Sequence, residues 1–217
     1  MGKSMEVYNN VKKVDLNGEI YRDMVFDYPI IKSGKMMPLK RKESYSGFYS
    51  QEENEKRALR RAKTCITDYV KTNVDLVNFV TYTLDAQKID RYNEQEIYKK
   101  MRDWLSNRVR RKGLKYVLVP EMHKDGAWHF HGFTNLALDW SYGFYLNKEI
   151  KSTRQRDNGV RYITSYVKKD MTKFNGRRYL HSRNLEKPIK IYDNVDFDSF
   201  EGKLLELEDI SVRMKIK

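Results

Sequence analysis

The chain has 217 residues, 43 Lys and Arg against 30 Asp and Glu, a formal net charge of +13 and a sequence pI near 9.6. That length suits one folded domain with terminal extensions, and 16 tyrosines with 9 phenylalanines argue against a disordered chain. The basic balance points to a polyanionic partner, no apolar run reaches the ~18 residues of a membrane span, and the one cysteine, Cys65, excludes an intramolecular disulfide framework. The start of the chain has no apolar signal-peptide core, so a cytoplasmic protein with no membrane partner is expected.

The first fifty residues are the least regular, with a strand expected at about Ile20 to Phe26 and then the basic loop IIKSGKMMPLKRK. Ser50 and Glu53 have the spacing of a capping box that opens a helix over about 51–72, whose inward stripe is Leu59, Ala62, Ile66 and Tyr69. LVNFVTYTL, residues 76–84, is rich in β-branched and aromatic residues and is expected to be a buried strand. Asn93 caps a second helix, about 94–111, with Ile97, Met101, Trp104, Leu105 and Val109 at helical spacing and Gly113 at its end.

Residues 114–122 and 127–134 read as the two arms of a hairpin, followed by a weaker strand from Gly143 to Ile150. A helix capped by Asp157 or Asn158 follows, carrying Tyr162, Tyr166 and Lys169 on one stripe. An acidic helix is expected near Phe197 to Asp209, before the basic end ISVRMKIK. The order implies an α+β fold: a central antiparallel sheet, a ferredoxin-like palm, flanked by helices. A single domain over 1–217 is expected, with about 1–50 and about 185–217 as extensions.

Three of the four histidines lie in EMHKDGAWHFH, residues 121–131. On a strand His129 and His131 share a face, while Trp128 and Phe130 point the other way into the core. A three-residue Lys124-Asp125-Gly126 loop sets Glu121 opposite His129, so Glu121, His129 and His131 converge; a two-residue Asp-Gly turn would put Glu121 opposite Phe130 and turn it away. Two imidazoles and one carboxylate leave coordination positions open, as a catalytic metal site needs, with Mn²⁺ or Mg²⁺ the natural ions beside phosphate. His123 sits nearer the turn and is read as a neighbour of the site. A tyrosine hydroxyl becomes a nucleophile only when its charge is stabilised, which a metal and an ammonium such as that of Lys169 would do.

LVNFVTYTL, then Glu121 with His129-Phe130-His131, then Tyr162-x₃-Tyr166-x₂-Lys169 resemble the three ordered motifs of the His-hydrophobic-His (HUH) endonucleases, the rolling-circle replication initiators of plasmids and single-stranded DNA phages. RRYLHSRNLEKP, residues 177–188, resembles sequence that follows the tyrosine motif in such initiators. The resemblance implies Glu121, His129 and His131 as metal ligands, Tyr166 as principal nucleophile, Tyr162 as a second one and Lys169 as a charge stabiliser. It also implies nicking and joining of single-stranded or hairpin origin DNA through a 5′-phosphotyrosine. The ~50 residues after Tyr166 leave no room for a helicase domain, so a separate helicase and a DNA polymerase are the implied partners. Arg177, Arg178, Tyr179, His181 and Arg183 are candidate DNA contacts, with Lys40, Arg41 and Lys42 a second group. The alternatives are a relaxase or single-strand transposase with the same chemistry, and a noncatalytic nucleic-acid-binding module on a similar sheet.

Overall fold

The computed structural model describes residues 9–30, 50–169, 171–193, 196–207 and 210–216. The chain divides into two compact units: residues 49–187, and residues 1–48 together with 188–217. The two stretches read as extensions therefore join in one unit with a sheet of its own.

Within 49–187 the elements are α1 (Gln51–Thr72), β3 (Asn78–Leu84), α2 (Glu94–Lys112), β4 (Tyr116–Met122), β5 (Trp128–Thr134), β6 (Gly143–Glu149), α3 (Thr153–Ser165) and β7 (Leu180–His181). The strands form an antiparallel sheet in the order β6-β3-β5-β4-β7. Alternation decides which residues go to which layer. Val80, Tyr82, Leu118, Trp128 and Phe130 bury against Ile97, Met101, Trp104 and Leu105 of α2. Val117, Val119 and Phe133 point to the opposite face, where Ala62, Ile66 and Val70 of α1 and Val160 and Ile163 of α3 cover them. Helices thus lie on both faces of the α+β sheet, and Trp128 and Phe130 are core.

The helix ends follow local chemistry. Ser50 and Glu53 form both halves of the capping box, Asn93 accepts from the Glu96 N–H, and Gly113 closes α2 at φ 66°. α3 starts earlier than Asp157 or Asn158: Ser152 is the cap, accepting from the Gln155 N–H, and Asp157 lies inside the helix in an ion pair with Lys71. Two contacts fix α3 over the sheet. Arg156 donates to the carbonyls of Val70, Val74 and Leu76, the free end of α1 and its following turn. Gly159 lies on the Phe79–Phe133 pair so closely that a Cβ there would come 2.6 Å from the Phe133 ring.

The other unit contains β1 (Asn9–Leu16), β2 (Glu19–Ile30), β8 (Ile189–Asp193), β9 (Lys203–Leu207) and β10 (Ile210–Ile216), in the antiparallel order β8-β1-β2-β10-β9. Asn17 and Gly18, both at positive φ, make the tight turn between β1 and β2. The acidic segment expected as a helix near 197–209 is instead a turn followed by β9, because pairing of Lys203–Leu207 with β10 outweighs the weak helical preference of a short charged stretch. The basic loop carrying Lys40, Arg41 and Lys42 lies outside the described residues.

Candidate active site

The hairpin loop has three residues. His123 N–H bonds the Ala127 carbonyl, Gly126 N–H bonds the His123 carbonyl, and Gly126 takes φ 86°, the left-handed position where a side chain would be strained. The odd loop sets Glu121 opposite His129 and Val119 opposite His131, so Glu121, His129 and His131 share the face under α3. Glu121 Oε2 lies 2.8 Å from His131 Nε2 and 3.9 Å from His123 Nε2. His129 stacks on His123 with ring centroids 3.7 Å apart.

The strand beneath supplies two further polar groups. On β3, Thr81 and Thr83 alternate with the core residues and stand beside the histidines. Thr81 Oγ1 is 3.0 Å from His131 Nδ1 and Thr83 Oγ1 is 3.2 Å from His129 Nδ1. Each imidazole is thus held through Nδ1, leaving Nε2 for a second partner. The signal was present in VTYT: Thr81 and Thr83 alternate with the core residues Val80 and Tyr82 as His129 and His131 alternate with Trp128 and Phe130, so both pairs face away from the same core layer.

Above the hairpin, the two tyrosine hydroxyls meet. Tyr166 donates to the Tyr162 oxygen at 2.6 Å; the Tyr166 ring stacks on His131 at 5.2 Å and the Tyr162 ring meets it edge-on at 5.6 Å. Burial, the Tyr162 bond and the Glu121 carboxylate, in that order, push the Tyr166 hydroxyl above the ordinary phenol range. His131 and His129 are held below the usual imidazole value, chiefly by burial. A cavity of about 310 Å³ opens beside these groups, lined by Glu121, His123, Tyr166, Lys168 and Met171 among others.

Lys169 departs from the expected stripe. α3 ends at Ser165 with Tyr166 as its C-cap, so Lys169 follows in a turn and its ammonium pairs with Glu52 of α1 at 3.2 Å. Lys168 is the lysine that lines the cavity with Tyr166. The expected DNA contacts also divide. Arg178 is buried, paired with Glu55 and donating to the Lys168 carbonyl, so it is built into the fold and not offered to a ligand. Tyr179 is half-buried beside Cys65, and its hydroxyl is raised mainly by burial. Arg177, His181 and Arg183 line a separate cavity of about 480 Å³ between α2 and the β7 edge.

The donor set fits a hard divalent ion in part. The 2.8 Å between Glu121 and His131 is close to the ~3 Å separating adjacent donors of an octahedral ion at ~2.1 Å. A cation on Glu121 would also reverse the field that opposes ionisation of Tyr166. Among the described residues no three His, Cys, Asp or Glu side chains are disposed to hold an ion; Glu121 and His131 are the pair already at donor spacing.

The fold and site define a sheet that presents a His-x-His hairpin to a pair of tyrosines on and just beyond a covering helix. Residues 77–171, from β3 to the far wall of the site cavity, match the family of replication-associated protein ORF2/G2P. The likeness supports a role in the initiation of DNA replication. No curated protein and no solved structure gives a significant match to the chain. Among the described residues no helix is long and apolar enough to cross a membrane.

Proposed function

We propose that the protein is a site-specific nickase and joining enzyme of the His-hydrophobic-His type, acting on single-stranded or hairpin DNA at a replication origin in a bacterial cytoplasm. The observation that carries this reading is the meeting of the Tyr166 and Tyr162 hydroxyls directly over the His131–Glu121 pair.

Tyr166 is the nucleophile. Its oxygen gives up its proton to solvent and attacks the phosphorus of the scissile phosphodiester, the bond from phosphorus to the 3′ oxygen breaks, and that oxygen takes a proton from solvent and leaves as a free 3′ hydroxyl, so no net proton is gained or lost. The phosphoryl group stays on Tyr166 as a 5′-phosphotyrosine, so its bond energy remains available for rejoining. Tyr162, in hydrogen-bond contact, accepts the Tyr166 proton's bond in the resting site and is placed for a second attack. A Mn²⁺ or Mg²⁺ ion on Glu121, His129 and His131 would supply positive charge to a non-bridging phosphate oxygen. Lys168 adds a further positive charge in the same cavity. The freed 3′ hydroxyl primes a polymerase, and a separate helicase unwinds the duplex.

The test is incubation of the protein with end-labelled single-stranded origin DNA and Mn²⁺, followed by denaturing electrophoresis. A covalent adduct is expected with the wild type, and none with Tyr166→Phe and Tyr162→Phe combined. No adduct from the wild type, or one that persists in the double variant, overturns the reading.

A further inference from the structure

The edge strand β6 displays large apolar side chains on the same sheet face as the histidines. In GFYLNKE, residues 143–149, Tyr145 turns to the other face and packs with Tyr82 in the α2 layer. Phe144 and Leu146 point to the site face and are 65% and 70% exposed, the two most exposed large hydrophobic residues described in 49–187. Phe144 pairs with Thr83, which pairs with His129, which pairs with Glu121; Leu146 pairs with Thr81, which pairs with His131. Each therefore stands two strand spacings, ~10 Å, from a histidine of the site in a continuous row. Lys148 follows on the same face, opposite Phe79.

We propose that Phe144 and Leu146 form a platform on which an unpaired base next to the scissile phosphate stacks, with Lys148 contacting the adjoining backbone. The proposal rests on the nicking reading for the position of that phosphate. An exposed ring, an aliphatic neighbour and an ammonium in line are the elements of sequence-tolerant single-strand binding, since every base offers a π face. A duplex could not use the ring, because its bases are stacked on one another. Continuity of the row with the histidines and the net charge of +13 favour a nucleic acid over a second copy of this chain on the same edge.

The experiment uses the full chain without divalent metal, so that binding is read apart from cleavage, and single strands carrying a fluorescent adenine analogue stepped along positions around the nick. The wild type is expected to quench the probe at one position close to the nick. Phe144→Ala with Leu146→Ala is expected to restore that fluorescence and raise Kd about 5- to 150-fold. Phe144→Trp is expected to keep the quenching, and the thermal midpoint of each variant, changed little at exposed positions, controls for folding. With Mn²⁺ and DNA held below its Kd, the double Ala variant is expected to cleave more slowly than wild type, in proportion to its weaker binding. Unchanged quenching and Kd in the double variant overturn the proposal, as does a wild-type dimer that the substitutions dissociate without altering DNA binding. Quenching by a wild type that forms no adduct supports the platform and counts against the nicking reading alone.

Discussion

At the residue scale, the two threonines decide how well the histidines can serve as ligands. Thr81 and Thr83 hold Nδ1 of His131 and His129 at 3.0 and 3.2 Å, so the proposed ion would meet rings that are already oriented. Loss of such an outer partner typically weakens metal binding ~10- to 100-fold. Thr81→Val, which keeps shape and removes the hydroxyl, is therefore expected to raise the Mn²⁺ dissociation constant by roughly that factor in calorimetric titration. Unchanged affinity would show that the hydroxyl does not orient His131. The same rings set a pH dependence. Burial lowers the pKa of both histidines, so the folded protein favours neutral imidazole, the form that binds metal. The folded pKa being the lower one, this preference contributes stability above the ordinary imidazole value and loses it as pH falls toward the folded value. Mn²⁺ binding measured against pH is accordingly expected to persist below the pH at which a free imidazole becomes half protonated. A midpoint at or above that pH would contradict the role given to burial.

At the scale of elements, the hairpin depends on an odd loop. Deleting Lys124 leaves a two-residue Asp-Gly turn, shifts the pairing of β4 on β5 by one and sends Glu121 to the face of Phe130. The deletion is expected to abolish Mn²⁺ binding in the calorimeter while α1, α2 and α3 keep their far-ultraviolet helical signal; retained binding would mean that Glu121 is not the carboxylate ligand. This register was legible because Gly126 marks the left-handed position and the alternation of Trp128, Phe130 and the histidines leaves one way to face the core. The caps of α1 and α2 were legible for a similar reason, since Ser50, Asn93 and Gly113 act on backbone groups within three or four residues of themselves. Lys169 was not: its position depends on Glu52, 117 residues away, and on a helix end where Thr164 and Ser165 bond back to the carbonyls of Val160 and Tyr162. Asp157 resembles a cap locally, but Lys71 takes its carboxylate and Ser152 does the capping. The Asn17-Gly18 turn was a readable hairpin signal in a stretch expected to be irregular.

For the molecule as a whole, a charge of +13 favours a polyanion such as the proposed DNA substrate but does not say which arginines would meet it. The α2 edge of the 49–187 unit separates them. α2 carries seven basic and three acidic residues. Arg110, Arg177 and Arg183 line its cavity with no carboxylate partner among the described residues, whereas Arg102 there is paired with Asp103. The aromatic rings nearby are already engaged, His181 stacked on Tyr69 at 4.9 Å and Tyr98 against Phe174 at 5.9 Å, so this cavity suits phosphates and not bases. Each phosphate neutralised releases counterions and steepens the salt dependence of binding by ~0.9 for a duplex and ~0.7 for a single strand. Arg177→Gln with Arg183→Gln is expected to flatten the slope of log K against log salt by ~1.8 on a hairpin with a duplex stem, measured by fluorescence anisotropy over a salt series. Arg178→Gln acts differently, because its guanidinium is buried against Glu55: the thermal midpoint should fall by several degrees with the salt slope preserved. If the Arg178 variant alone flattens the slope while the Arg177 and Arg183 pair does not, the phosphate-binding edge lies on the α1 side of the sheet and the assignment to α2 is wrong.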